Sequence, residues 1–174
     1  MKKIKITNPY NQKILRELPL MNAHAVEKAL SKAYDLASHR EKWLPPYERI
    51  EILEKLVVLL QKEENKLALQ AAAEGGKPLV DSKIEMTRAI EGVKVAIRHI
   101  PQLIGKEIPM NITKTSEHRL AYTFREPVGV VLAVSAFNHP INLTIHQVIS
   151  AVATGCPVLM KPAKKTPLSC LLLL

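Results

Sequence analysis

Apolar positions recur along this chain with two different periods, and the change comes near Glu126. Upstream, helical spacing dominates. Val26, Leu30, Ala33 and Ala37 fall at i, i+4, i+7 and i+11 behind a candidate N-cap at Asn22. Ile50, Leu53, Val57 and Leu60 form a second stripe, predicting a helix from near Pro46. It should break before Lys66–Ala73, a stretch closed by Gly75 and Gly76. Met86, Ile90, Val93, Ile97 and Ile100 make a third stripe that stops at Pro101, and Ser82 with Glu85 reads as the S-x-x-E capping box of that helix. Two β elements flank the helices. Ile4–Thr7 and Lys13–Leu18 surround the turn residues Asn8, Pro9 and Asn11, predicting a hairpin. Gly105–Arg125 reads as a β-ribbon, with Ile108-Pro109 on one arm and Leu120–Phe124 on the other.

After Glu126-Pro127 the pattern differs. Val128–Val134 is a continuous apolar, β-branched run, as in a parallel strand covered on both faces. Ile141, Ile145, Val148 and Val152 then give a helical face with Pro140 in its first turn. Gly155 ends that helix, and Pro157–Lys161 reads as another strand. Strand, helix and strand make one βαβ unit, so the predicted class is α/β. Three stretches follow: hairpin and long helices over 1–104, ribbon over 105–127, and the βαβ unit over 128–174. One such unit is an incomplete sheet, and its second strand is expected to need a neighbour from elsewhere. There is no internal repeat and no low-complexity linker.

Composition narrows the function classes. With 174 residues and 47% apolar content, the chain can bury the core of one domain. Its formal charge of +9 raises nucleic acid as a partner. However, Lys28, Lys32, Lys42, Lys55, Lys62, Lys66, Lys94 and Arg98 are spread over several helices among glutamates. Aromatic content of 4% leaves little to stack on bases, so solvated helix faces are the expectation and nucleic-acid binding is not. The basic start lacks the apolar core of a secretory signal, and no segment approaches a membrane span. Two cysteines, Cys156 and Cys170, do not make a disulfide framework, and a cytoplasmic setting is expected.

Candidate chemistry sits at the carboxyl ends of the two strands, where open α/β sheets bind ligands. Asn138 lies four residues beyond Val134, and Lys161 ends the next strand. An Asn amide offers neutral N–H donors suited to an oxyanion. It is equally a favoured helix cap, and both uses stay open.

The stretch R-E-P-V-G-V-V-L-A-V-S-A-F-N-H-P-I-N-L-T-I-H-Q, followed by A-V-A-T-G-C-P-V-L-M-K-P-A-K-K-T-P-L-S, resembles the NAD(P)-dependent aldehyde dehydrogenase superfamily. T-N-P-Y-N-Q-K-I and A-A-A-E-G-G-K-P-L extend the resemblance to nearly the whole chain, but only to the first third or so of a family member. The wording is closest to lactaldehyde- or phosphonoacetaldehyde-type members. The resemblance implies the amino-terminal part of a Rossmann-like domain. It implies attack of a cysteine thiolate on an aldehyde, hydride transfer to nicotinamide, and hydrolysis of the thioester by a glutamate-activated water. On this basis Asn138 would donate to the oxyanion, and Val134, Ser135, Ala136 and Phe137 would line the nicotinamide end of NAD or NADP. Lys161 would contact the adenosine ribose or its 2′-phosphate. A small-molecule aldehyde and a homo-oligomeric assembly are implied for the intact enzyme, with the ribbon resembling the oligomerisation element.

There are departures from the family pattern. His139 stands where an aromatic is usual, and reads as a half-exposed loop histidine. Lys164 replaces a glutamate that holds ribose hydroxyls, which predicts tolerance of NADP or preference for it. Neither Cys156, at the start of a buried strand, nor Cys170 matches the nucleophile, so the chain alone is expected to be inactive. A non-catalytic chain that pairs with longer subunits is the alternative. Leu171–Leu174 reads as an exposed apolar tail, suggesting an interrupted reading frame or a partial record.

Overall fold

A computed structural model of the chain describes residues 2–173. The element order is β1 (Lys3–Thr7), β2 (Ile14–Pro19), α1 (Ala23–Ser38), α2 (Pro46–Lys62), α3 (Glu64–Gly75), α4 (Leu79–His99), β3 (Glu107–Ile108), β4 (Ala121–Tyr122), β5 (Val131–Val134), α5 (Asn142–Ala153), β6 (Val158–Lys161) and α6 (Pro167–Leu172), with short 3-10 turns between some of them. Strands β1 and β2 pair antiparallel, as the hairpin pattern predicts, and β3 pairs antiparallel with β4. Strands β5 and β6 pair in parallel, Val131 opposite Val158 and Val134 opposite Lys161. The βαβ unit is therefore present.

The helical stripes meet in one core. Leu53 and Leu60 of α2, Leu67, Ala68 and Ala71 of α3, and Met86, Ala89, Ile90 and Val93 of α4 pack with Ile141, Ile145 and Ile149 around α5. Asn22 caps α1 as expected, its Oδ1 accepting from the Ala25 N–H at 2.9 Å. Gly76 closes α3 with φ of +70°, and a Cβ there would stand 2.7 Å from the Pro9 ring, so the hairpin turn and the helix end meet only through glycine. Gly105 lets the ribbon close, since a Cβ on it would overlap the Thr123 carbonyl oxygen at 1.5 Å. Lys55 and Lys94 pair with Glu51 and Glu91 on their own helices, and Lys66 with Glu63 just before its helix, as solvated faces do.

Three expectations change. Helix α4 starts at Leu79, after Pro78, so Ser82 and Glu85 lie inside it and form no capping box. Both are buried, and the Ser82 hydroxyl has no partner. Pro78, two residues after left-handed Gly76, sets the start one turn earlier than the local S-x-x-E pattern suggests. Second, the Val128–Val134 run is covered on one face only. Ala133 is buried, whereas Leu132 is 66% exposed and Val134 49% exposed. Alternate strand positions face opposite sides, and α5 packs on one of them. Third, the leucine run is not a free tail: Leu171 and Leu172 continue α6, half exposed, and Leu173 packs on the core. Leu174 lies outside the described residues.

Buried charges join the helical layer to the βαβ unit. Glu74 of α3, 3% exposed, accepts from the backbone N–H groups of Leu168 at 2.8 Å and Ser169 at 2.6 Å, at the start of α6. Arg49 of α2 donates to the Ala153 carbonyl at the end of α5, at 2.6 Å. Burial raises the Glu74 carboxyl above its ordinary 4.5, against the pull of the Ser169 and Leu168 bonds. A carboxyl raised in the folded state binds its proton there while the unfolded chain has lost it. Its contribution to stability is therefore fullest below pH 4.5 and is lost as pH rises through the folded value. In urea titrations from pH 4 upward, the chain should lose stability relative to its Glu74→Gln variant, by up to about 1.4 kcal/mol per pH unit across that window.

Candidate functional site

The loop from Val134 to Ile141 joins β5 to α5 at the carboxyl edge of the parallel pair. Its shape is set by donors aimed at successive backbone carbonyls. The Val134 carbonyl accepts from Gln147 Nε2 at 3.0 Å, and the Phe137 carbonyl from Thr166 Oγ1 at 3.2 Å. The Asn138 carbonyl accepts from Lys77 Nζ at 3.4 Å and the His139 carbonyl from the Leu143 N–H at 3.0 Å. The Pro140 carbonyl accepts from Thr144 Oγ1 at 2.6 Å. Ser135 Oγ lies 3.1 Å from the Ala136 carbonyl and 2.9 Å from Thr144 Oγ1, its single proton serving one of them. Backbone so thoroughly paired is preorganised before any ligand arrives.

Helix α5 takes its cap from another helix. Oε1 of Glu85 in α4 accepts the N–H groups of Ile141 at 2.7 Å and Asn142 at 2.9 Å. Its Oε2 pairs with Lys77 and lies 3.7 Å from His139 Nδ1. A carboxylate suits the partial positive charge at a helix N-terminus. The N-cap residue Ile141 offers no side-chain bond, so Asn138 is not the cap. Its side chain is exposed at the loop surface.

The sequence-predicted residues gather at this edge. Val134 pairs with Lys161, and the Ser135 N–H donates to the Lys161 carbonyl at 3.0 Å. Ser135 departs from expectation: its side chain is buried beside Thr144, so only its backbone remains at the edge. Phe137 is 55% exposed, and the Lys165 ammonium sits 5.1 Å from its ring centre, within cation–π range. Ala136 is half-buried, while Lys161 and Lys164 are exposed. Lys161 at the end of β6, with Lys164 and Lys165 just after it, thus puts three lysines beside the loop. His139, expected as a half-exposed loop residue, has its side chain 40% exposed and is tied into the Lys77–Glu85 group.

Lys77, Glu85, Gln147, Thr144 and Thr166 were missed as loop-holding residues. Glu85 alone carried a signal: it stands in the buried α4 stripe, four residues before Ala89 and eight before Val93. A charge in a buried stripe calls for a partner. Neither cysteine can serve as an accessible nucleophile. Cys156 is 5% exposed, and Cys170 is fully buried in α6, where burial pushes its thiol pKa up.

The sequence profile of the aldehyde dehydrogenase family matches residues 1–174. The chain is 34% identical over 169 residues to 3-sulfolactaldehyde dehydrogenase of Priestia aryabhattai, covering 97% of this chain and 35% of that protein. It is 31% identical over 168 residues to lactaldehyde dehydrogenase of Methanocaldococcus jannaschii, covering 95% and 34%. The chain spans about a third of the length of the curated relatives it matches. Among solved structures, an aldehyde dehydrogenase of Physcomitrella patens in complex with the reaction product succinate superposes with a TM-score of 0.92 at 32% identity, over 99% of this chain and 36% of that one. Glyceraldehyde-3-phosphate dehydrogenase of Methanocaldococcus jannaschii complexed with NADP gives 0.89 at 30%, over 98% and 36%.

The loop bonds make a quantitative prediction. Thr144→Val preserves shape but leaves the Pro140 carbonyl unpaired, so urea denaturation should show a loss of about 1–3 kcal/mol.

Proposed function

The chain belongs to the aldehyde dehydrogenase family, and on that premise we propose that residues 1–174 form the cofactor-side part of an NAD(P)-dependent enzyme that oxidises an aldehyde to a carboxylic acid. The observation that carries this reading is the Asn138 loop. Its backbone is held by named donors on both sides, while the Asn138 amide is left free of the helix cap and exposed at the sheet edge.

In this reading the amide donates to the oxygen of the aldehyde as it gains negative charge. Pairing of the neighbouring backbone means that little reorganisation is needed at that moment. The residues fit a dinucleotide. Exposed Val134 and Phe137 give an apolar shelf, and Lys161, Lys164 and Lys165 give an adjoining cationic edge suited to ribose and phosphate. When bound, the nicotinamide supplies a hydride acceptor. Lys161 holds the ribose or its 2′-phosphate, and Lys164 favours the 2′-phosphate of NADP. Because Cys156 and Cys170 are buried, the nucleophile comes from residues outside this chain, and the chain by itself has no dehydrogenase activity. A second reading, a non-catalytic chain pairing with longer subunits, draws on the 105–127 ribbon, where Leu120, Tyr122 and Phe124 are strongly exposed. Co-purification with a longer aldehyde dehydrogenase chain would favour it.

The test joins residues 1–174 to the remaining two thirds of the Priestia relative. Asn138→Ala should lower kcat by about 10²–10³ with the KM for cofactor little changed. Turnover surviving within a few-fold would remove Asn138 from the chemistry. In the same polypeptide, Lys164→Glu should weaken NADP binding by roughly tenfold while leaving NAD within about twofold, since only the former loses a phosphate contact. Equal effects on both cofactors would contradict the assignment of Lys164.

A further inference from the structure

We propose that Lys77 and Glu85 are positioning residues that fix the Asn138 loop from the helical side. Every loop carbonyl named above except that of Asn138 is held by a group from residues 135–166, that is, from the loop itself, α5 or the turn before α6. Asn138 alone is gripped from the other layer, by Lys77 in the turn between α3 and α4. The Lys77 ammonium also lies 3.3 Å from His139 Nδ1 and pairs with Glu85. With Lys77 donating, that ring nitrogen is the acceptor and the imidazole proton sits on Nε2.

Glu85 completes the bracket. One oxygen faces Lys77, and the other takes the N–H groups of Ile141 and Asn142. A single ion pair therefore holds residues 138, 139, 141 and 142 against α4. The Glu85 side chain has no exposed surface, and that of Lys77 is 16% exposed. Burying such a pair yields little net stability, and well-packed apolar replacements are often as stable. What the pair supplies is location. It admits one register of α5 on α4, and so one placement of the amide that precedes α5.

The geometry stands by itself; its consequence for turnover rests on the reading of Asn138 as the oxyanion donor. The experiment has two arms. In the 174-residue chain, amide hydrogen exchange is followed at Ile141, Asn142 and Leu143, with Val93 in α4 and Ile149 in α5 as references. Lys77→Met should speed exchange at Leu143, whose N–H donates to the His139 carbonyl, by about tenfold or more with Val93 unchanged, and Lys77→Arg should restore protection. Glu85→Gln should speed exchange at Ile141 and Asn142 in the same way, and it decides the matter if Lys77→Met does not fold. Unchanged loop exchange, or a rise shared equally by Val93, overturns the proposal. In the joined polypeptide, Lys77→Met should lower kcat by about tenfold to a hundredfold, with the KM for cofactor within about twofold and most of the loss recovered by Lys77→Arg. A loosened loop with undiminished kcat would leave the bracket standing and overturn the role given to Asn138.

Discussion

Three buried or half-buried charges at helix ends hold the two layers of this structure together. Glu85 meets the N-terminus of α5, Arg49 its C-terminus, and Glu74 the N-terminus of α6. Each charge has the sign that the helix dipole favours. The arrangement also answers a question of cost. An ionised carboxylate inside the core is tolerable only where donors replace its water, and the first turns of α5 and α6 present N–H groups with no partner in their own helix. Charge and helix end thus each satisfy what the other lacks.

From that constraint the candidate site follows. Docking α5 at both ends sets the direction in which the chain must arrive from β5, and so the path of residues 135–140. Gln147 and Thr144 then fasten the loop from within α5, and Thr166 fastens it from the turn after β6. The result is an exposed Asn138 amide on a backbone with few degrees of freedom left. The capping duty that Asn138 could have performed belongs to Glu85.

The same packing explains what is left bare. Helix α5 covers one side of β5 and β6, so Ala133 is buried while Leu132 and Val134 face outward. Val134 and Phe137 together make an apolar shelf at the strand ends, next to a row of lysines. No helix among the described residues is long and apolar enough to cross a membrane.

Much of the fold was legible in the order of residues, because hairpin, helices and βαβ unit each rest on local periodicity and on nearby Gly or Pro. The Asn22 cap, the Gly76 stop and the parallel pairing of Val131–Val134 with Val158–Lys161, inside the longer predicted runs, are of this kind. The position of Asn138 at a strand end was legible too, though whether it caps the next helix was not. That choice depended on Glu85, 53 residues earlier in the chain. Read locally, Ser82 and Glu85 imitate a capping box; in three dimensions Glu85 caps a different helix, and Ser82 is buried inside α4. Sequence alone determined which segments would be helix and strand, since those energies are paid within a few residues. Only the tertiary structure decided which charge meets which helix end, because contacts between distant segments arise from packing, and packing carries no signature of period or spacing.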